Sequence, residues 1–362
     1  MLSLLLSAAV SLAFEEPDFE LTTRYADDPA DYFDGLHRDQ LLDLVGGNSA
    51  LDDMDYEVGD FQAAIIVPDE YEAGAGWGVY VHIAASGGGG PRDDWREVLV
   101  EHKLIYIGPH GVGNGTDSAV RIGVALDSLA TVEDGWDIDP DRRIIGGFSG
   151  GAAIATMIGA HYPDVFHGTV DMCRAIMWEE HEISTMPGSA FGDGEVNHLD
   201  DKGLKSIQNG HRFAFVSGDE DILPVGDQQF SNYEGILKGM GDWWDRDIRT
   251  RLWDVPGLKH EKAPGDAFSA ALDWVLTCAD DGSYPARFDS DHAPPLTPVE
   301  TPEASAPEPC DPGDPWDPSA DPDSLTEEDE KGCGCESTGG PMWLFVPLML
   351  LLRRQGARPI RR

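Results

Sequence analysis

The chain has 362 residues, 41% of them hydrophobic, and sets 67 aspartates and glutamates against 25 lysines and arginines for a formal charge of −42. That is enough apolar material for one large core or two modest ones. A charge of this sign and size repels phosphate backbones and anionic lipid surfaces, so nucleic acid is excluded as a partner, and the acidity is read as a solubility feature because no Asp-x-Asp-x-Asp-Gly calcium loop is present.

In chain order, Met1 to Ala13 is a leucine- and alanine-rich stretch ending in Ser11-Leu12-Ala13. It reads as a signal peptide, although no Lys or Arg precedes its apolar core, and export is the expectation. Phe14 to about Tyr56 is polar and Asp-rich and is predicted to pack on the edge of the domain as an N-terminal extension. Apolar strands and amphipathic helices then alternate. Gln62 to Val67, Gly78 to Ala84 and Leu104 to Gly108 are predicted strands. Ser118 to Val132 carries Val120, Ile122, Ala125, Leu126 and Leu129 at helical spacing. Arg143 to Gly147 and Val165 to Val170 are predicted strands on either side of a small-residue helix from Gly150 to His161.

Met172 to Asn209 has no clear period and reads as a lid or pocket wall, or as an ordinary surface insertion. Strands at Arg212 to Val216 and Arg249 to Trp253 flank a predicted helix over Asp227 to Trp244, and a last helix runs from Ala267 to Cys278. Repeated strand-helix alternation predicts an α/β domain over 56–279, a mostly parallel twisted sheet with helices on both faces. From 280 to 332 the chain reads as a disordered acidic linker rich in proline. The tail from 333 to 362 holds Cys333 and Cys335, a short apolar run over Pro341 to Leu352, and arginines. That run is shorter than the ~20 residues that span a bilayer, which fits a processed signal better than a permanent anchor.

Gly147-Phe148-Ser149-Gly150-Gly151 is a Gly-x-Ser-x-Gly motif with a strand before it and a helix after it. Small flanking residues let the chain turn sharply and expose the hydroxyl above the sheet. Such a serine needs a base, and the base an acid, arriving in chain order Ser, Asp, His. After the strand ending at Val216, Ser217-Gly218-Asp219-Glu220-Asp221 offers two aspartates; Asp221 is preferred for its spacing from Gly218, with Asp219 as the alternative. Before the closing helix, Pro256-Gly257-Leu258-Lys259-His260 offers the histidine. Donors for a developing oxyanion are expected at Gly150 and, after an earlier strand, at Ser86 or Gly87 within Ala85-Ser86-Gly87-Gly88-Gly89-Gly90. No His-Glu-x-x-His or similar metal spacing appears, and no cofactor is expected. Cys173 and Cys278 form either a disulfide or two buried thiols. Trp178, Trp243 and Trp244 are candidates for a pocket lining or for core.

With Gly87 to Trp95, Val132 to Gly151 and Pro256 to Trp274 in view, residues Tyr56 to about Thr277 resemble the esterase and polyhydroxybutyrate-depolymerase-like branch of the α/β-hydrolase superfamily. The resemblance implies cleavage of a carboxylic ester through an acyl-enzyme, with Ser149 as nucleophile, His260 as base and Asp221 as its orienting acid. The last thirty or so residues resemble a myxobacterial-type C-terminal sorting tail. That resemblance implies handling by envelope sorting machinery, with Cys333 or Cys335 as processing and lipid-attachment site and the enzyme at the cell surface. A serine peptidase of the same fold, and a surface-binding protein that keeps the fold without catalysis, are the alternatives.

Overall fold

A computed structural model gives the fold and describes residues 14–33, 54–174, 211–225, 228–244 and 248–276, with 51, 205, 207 and 208 besides. The segments read as leader (1–13), linker (280–332) and tail, with Cys278, Cys310, Cys333, Cys335 and Trp178, lie outside them, as does most of the stretch read as a lid. All described residues belong to one compact unit; the second, Asp311–Arg362, contains none of them. Among the described residues, no helix is long and apolar enough to cross a membrane.

The strands and α-helices given in full by the described residues are, in order, β1 (Phe14–Glu20), β2 (Gln62–Val67), β3 (Gly78–Ile83), α1 (Trp95–Glu101), β4 (Leu104–Pro109), α2 (Ser118–Gly135), β5 (Arg143–Phe148), α3 (Gly150–His161), β6 (Gly168–Met172), β7 (Arg212–Ser217), β8 (Ile222–Val225), β9 (Gln228–Ser231), α4 (Asn232–Trp244), β10 (Arg249–Asp254) and α5 (Gly265–Leu276). Eight strands make one sheet in the order β1-β2-β4-β3-β5-β6-β7-β10. From β4 to β10 every pairing is parallel, while β2 runs antiparallel to β4 and β1 antiparallel to β2.

Period-two alternation sorts the strand side chains into two layers. Val79, Val81, Ile105, Ile107 and Ile145 join the core beneath α2 and α3, whereas Tyr80, Leu104, Tyr106 and Ile144 join the core beneath α1 and α5. Since both faces are covered, the central strands are buried along their whole length, and they read as continuous apolar runs.

The N-terminal extension is a working part of the fold. Its strand β1 extends the sheet beside β2, with a register shift between Glu16 and Phe19, and Leu21, Tyr32, Phe33 and Met54 are buried in the α2–α3 core. The anchor is Asp127 on α2. Its buried carboxylate accepts from the Tyr32 hydroxyl at 2.5 Å, the Tyr56 hydroxyl at 2.8 Å and the Tyr25 amide at 2.8 Å. Burial pushes the Asp127 carboxyl up and the three donors pull it down.

Two local expectations change, and one left open is decided. The helix predicted from Asp227 begins at Asn232, because Ile222–Val225 and Gln228–Ser231 fold back as a two-stranded hairpin. A helix not foreseen, α1, covers β4. Trp243 is core: its ring lies edge-on to Phe213 at 4.6 Å with no exposure, so it lines no pocket.

Candidate active site

β5 ends at Phe148 and α3 begins at Gly150, so Ser149 alone makes the turn. It does so at φ 55°, a left-handed conformation that a residue with a Cβ adopts only when the surrounding structure enforces it. The enforcing contacts are a hydrogen bond from the Ser149 amide to Met172 O on β6 at 2.9 Å and one from Ala153 N back to Ser149 O at 3.2 Å. Gly151 sets α3 directly on β3: a Cβ there would fall 1.9 Å from Ile83 O. A side chain on Gly150 would meet Asn114 Oδ1 at 2.0 Å.

The loop after β10 brings His260 over this turn. Its Nε2 lies 2.7 Å from Ser149 Oγ and its Nδ1 lies 2.8 Å from Asp221 Oδ1. The ring packs beside Phe148 with centroids 5.0 Å apart. Asp221 follows β7, is fully buried, and accepts Ser217 Oγ on its other oxygen at 2.8 Å. Of the two aspartates weighed from the sequence, Asp219 is turned elsewhere and accepts Gly257 N at 2.7 Å, fixing the turn that leads to His260. The Ser149–His260–Asp221 chain therefore has one ring nitrogen for each neighbour. With Nδ1 donating to the carboxylate, Nε2 is left to accept from the hydroxyl.

The glycine-rich loop after β3 is held by its carbonyls. Ala84 O accepts Arg121 Nη2 at 3.0 Å, Ala85 O accepts Asn114 N at 2.8 Å, Gly87 O accepts Gly111 N at 2.8 Å, and Gly90 O accepts Lys262 Nζ at 2.5 Å. The Tyr106 hydroxyl donates to Gly89 O. Gly89 N is taken by His110 Nδ1 at 2.9 Å, but the amides of Ser86 and Gly87 have no acceptor among the described residues. Gly150 N, in the first turn of α3, likewise has no intrahelical partner. The Gly150 amide thus stays open beside the serine, at a helix N-terminus whose dipole favours negative charge, and the Ser86 and Gly87 amides on the loop after β3 are open among the described residues.

Cys173, the residue after β6, carries a free buried thiol at φ 59°. Of the two alternatives for Cys173 and Cys278, the thiol is what this structure holds at Cys173. Its Sγ donates to Glu261 O at 3.1 Å. Burial first, and then the Asp221 charge, pushes the thiol well above its ordinary range. Iodoacetamide is therefore expected to leave Cys173 unmodified in the folded protein and to alkylate it once denaturant is added, as read by peptide mass mapping; rapid native labelling would contradict the burial. Cys173 Sγ, an Asp221 oxygen and a ring nitrogen of His260 lie within 4.8 Å of one another and form the one group of potential metal ligands among the described residues. A cation there would have to displace the proton shared by His260 and Asp221.

No family model matches the chain, and no curated protein matches it. Among solved structures it is similar to an S-formylglutathione hydrolase from Staphylococcus aureus, at 16% identity over 60% of this chain and 90% of that one, with a TM-score of 0.45. It is also similar to a ferulic acid esterase, at 15% identity over 60% and 90% with a TM-score of 0.43. An S-formylglutathione hydrolase from Agrobacterium tumefaciens matches at 15% identity over 60% and 89%, with a TM-score of 0.42. The strand order, with its second strand antiparallel and a serine on the turn after the fifth, decides the architecture. The fold is that of the α/β-hydrolases.

In an α/β-hydrolase sheet, loops at the carboxyl ends of the parallel strands converge on one edge, which is why residues 149, 221 and 260 meet despite their separation in the chain. Several residues at this edge were not singled out from the sequence. Ser217 and Asn232 hold Asp221, Asn114 abuts Gly150, and Arg121 anchors Ala84. The Arg121 guanidinium is pushed down to about 10, by burial first and then by Arg174. Only Ser217 carried a local signal, its place at the end of a predicted strand beside the acid loop.

Proposed function

We propose that the protein is a serine hydrolase that cleaves a carboxylic ester through an acyl-enzyme. The observation that carries this reading is the unbroken hydrogen-bonded chain from Ser149 Oγ through His260 to Asp221, at 2.7 and 2.8 Å, on a serine held at φ 55°. Ser149 Oγ attacks the acyl carbon as His260 Nε2 takes its proton, and the charge that gathers on the carbonyl oxygen is met by the amides of Gly150 and of Ser86 or Gly87. Asp221 keeps the ring in the required tautomer and stabilises the imidazolium. His260 then gives its proton to the departing alcohol. Water enters, loses a proton to His260 and attacks the acyl carbon; the acyl–Oγ bond then breaks, His260 returns that proton to Ser149 Oγ, and the acid leaves.

The finer resemblance, to depolymerase-like esterases exported and tethered at the cell surface through Cys333 or Cys335, belongs to the same proposal, with an ester of a small molecule or a polymer as substrate. The test of the chemistry is to treat the purified full chain with a fluorophosphonate, map the adduct by mass spectrometry, and compare p-nitrophenyl esters with matching anilides. An adduct on Ser149 with faster ester cleavage supports the reading. Faster anilide cleavage would make the enzyme a peptidase, and the absence of any adduct on folded protein would leave a binding protein.

A further inference from the structure

The Asp221 carboxylate has a partner outside the serine–histidine–aspartate chain. β8 and β9 pair from Ile222 opposite Ser231 to Val225 opposite Gln228. At the base of this hairpin Asn232 N donates to Asp221 O at 3.1 Å. Asn232 is 2% exposed and is the first residue of α4. Its Nδ2 lies 2.9 Å from Asp221 Oδ1 and 3.3 Å from His260 Nδ1. Turning the amide over would set its oxygen against a carboxylate oxygen, acceptor to acceptor, so the nitrogen must face Asp221. Oδ1 therefore accepts from both His260 and Asn232, while Oδ2 accepts from Ser217.

We propose that Asn232 is a positioning residue of the hydrolytic reaction, fixing the Asp221 carboxylate toward His260 and drawing off part of its charge. This rests on the ester-hydrolase reading above. Asn232 is bonded to the backbone of the same aspartate whose side chain it holds, so the two residues are tied through both main chain and side chain. Two donors on one oxygen and a third on the other leave the carboxylate one orientation. Because the Asn232 amide shares Oδ1, the imidazolium that forms during turnover faces a carboxylate whose charge is divided between two donors.

The other titratable groups near the pair are the Cys173 thiol after β6, the exposed Glu220 and Lys259 at 3.9 Å from each other, and Glu261 beside His260. All of them are retained when Asn232 is changed. Asp219 is occupied by Gly257 N.

The experiment is steady-state ester hydrolysis by Asn232→Leu, which keeps the branched side-chain skeleton and removes the donor, and by the smaller Asn232→Ser, each followed from acid to alkaline pH beside thermal unfolding. The expected result is kcat lower by about tenfold or more with KM within about twofold. The acid limb of the kcat/KM profile should also move to higher pH by roughly half a unit, because an unshared carboxylate holds the imidazolium proton more tightly. If Asn232→Leu does not fold, Asn232→Ser decides by the same limb. Unchanged kcat and limb in folded variants would overturn the proposal, and so would lower stability and kcat with an unmoved limb, which marks a structural role alone. A Ser149→Ala control separates the two layers: turnover surviving there refutes the hydrolase reading itself.

Discussion

Ser149→Ala is expected to lower ester turnover by ~10⁴-fold or more while leaving the fold intact, and His260→Ala to cost about as much. The two hydrogen bonds make serine and histidine one device: without the hydroxyl, His260 Nε2 has no proton to take, and without the ring, Ser149 is an ordinary alcohol. The losses should not multiply, so the double variant should be little worse than either single one. Alanine leaves the Ser149 amide bonded to Met172 O, and the turn keeps its backbone contacts. Initial rates, fluorophosphonate labelling and circular dichroism melts would read all of this together. Residual activity of more than a few percent in folded Ser149→Ala, or strict multiplication in the double variant, would contradict the assignment.

What the sequence discloses here divides by range. The serine turn is legible because its determinants are contiguous: Ile144 and Ile145 before it, small residues after it, and glycines where α3 meets β3. His260 is legible because chain order substitutes for distance once a strand-helix alternation is recognised. The choice between Asp219 and Asp221 stays open in the sequence, since both lie on one short loop, and only the fold shows that Asp219 turns toward Gly257. β1 is hidden by its own composition. Phe14–Glu20 contains a proline and three glutamates, which an edge strand tolerates but a strand template penalises. β8 is four residues long with Pro224 inside it, and so reads as loop. Asn232 could not be found at all, because its part depends on a hairpin folding back over ten residues to return it to Asp221.

The carbonyls of the glycine-rich loop show how the site is made from ordinary bonding requirements. Buried backbone groups must be paired. Here Arg121, Asn114, Gly111, Tyr106 and Lys262 satisfy carbonyls between Ala84 and Gly90. With these acceptors satisfied from within the domain, the exposed Ser86 and Gly87 amides are left without an acceptor among the described residues. Lys262 illustrates the cost of this arrangement: burial first, and Arg92 second, push its ammonium down to about 8, yet it is retained above the Trp95 ring at 5.7 Å with its Nζ donating to Gly90 O.

Gly151→Ala should be among the most damaging small substitutions in the domain. A Cβ at that position would stand 1.9 Å from Ile83 O, 2.6 Å from Ile83 C and 2.9 Å from Ala84 C, all backbone atoms of the central strand and the residue after it. No rotamer relieves such a contact, so α3 must lift away from β3. Overpacking of this kind costs about 1–3 kcal/mol, and the rigidity of both partners places this case at the upper end. The consequence reaches catalysis because the shift is applied two residues from Ser149, and a displacement of about 1 Å can cost ~10²-fold in rate. Molecules that remain folded should therefore bind fluorophosphonate slowly. Gly115→Ala supplies the contrast: nothing lies within 4 Å of its would-be Cβ and its φ is not positive, so its urea midpoint should hold or rise slightly. An unchanged midpoint in Gly151→Ala would mean that α3 does not rest on β3 through that glycine, and the explanation given for the position of Ser149 would fall with it.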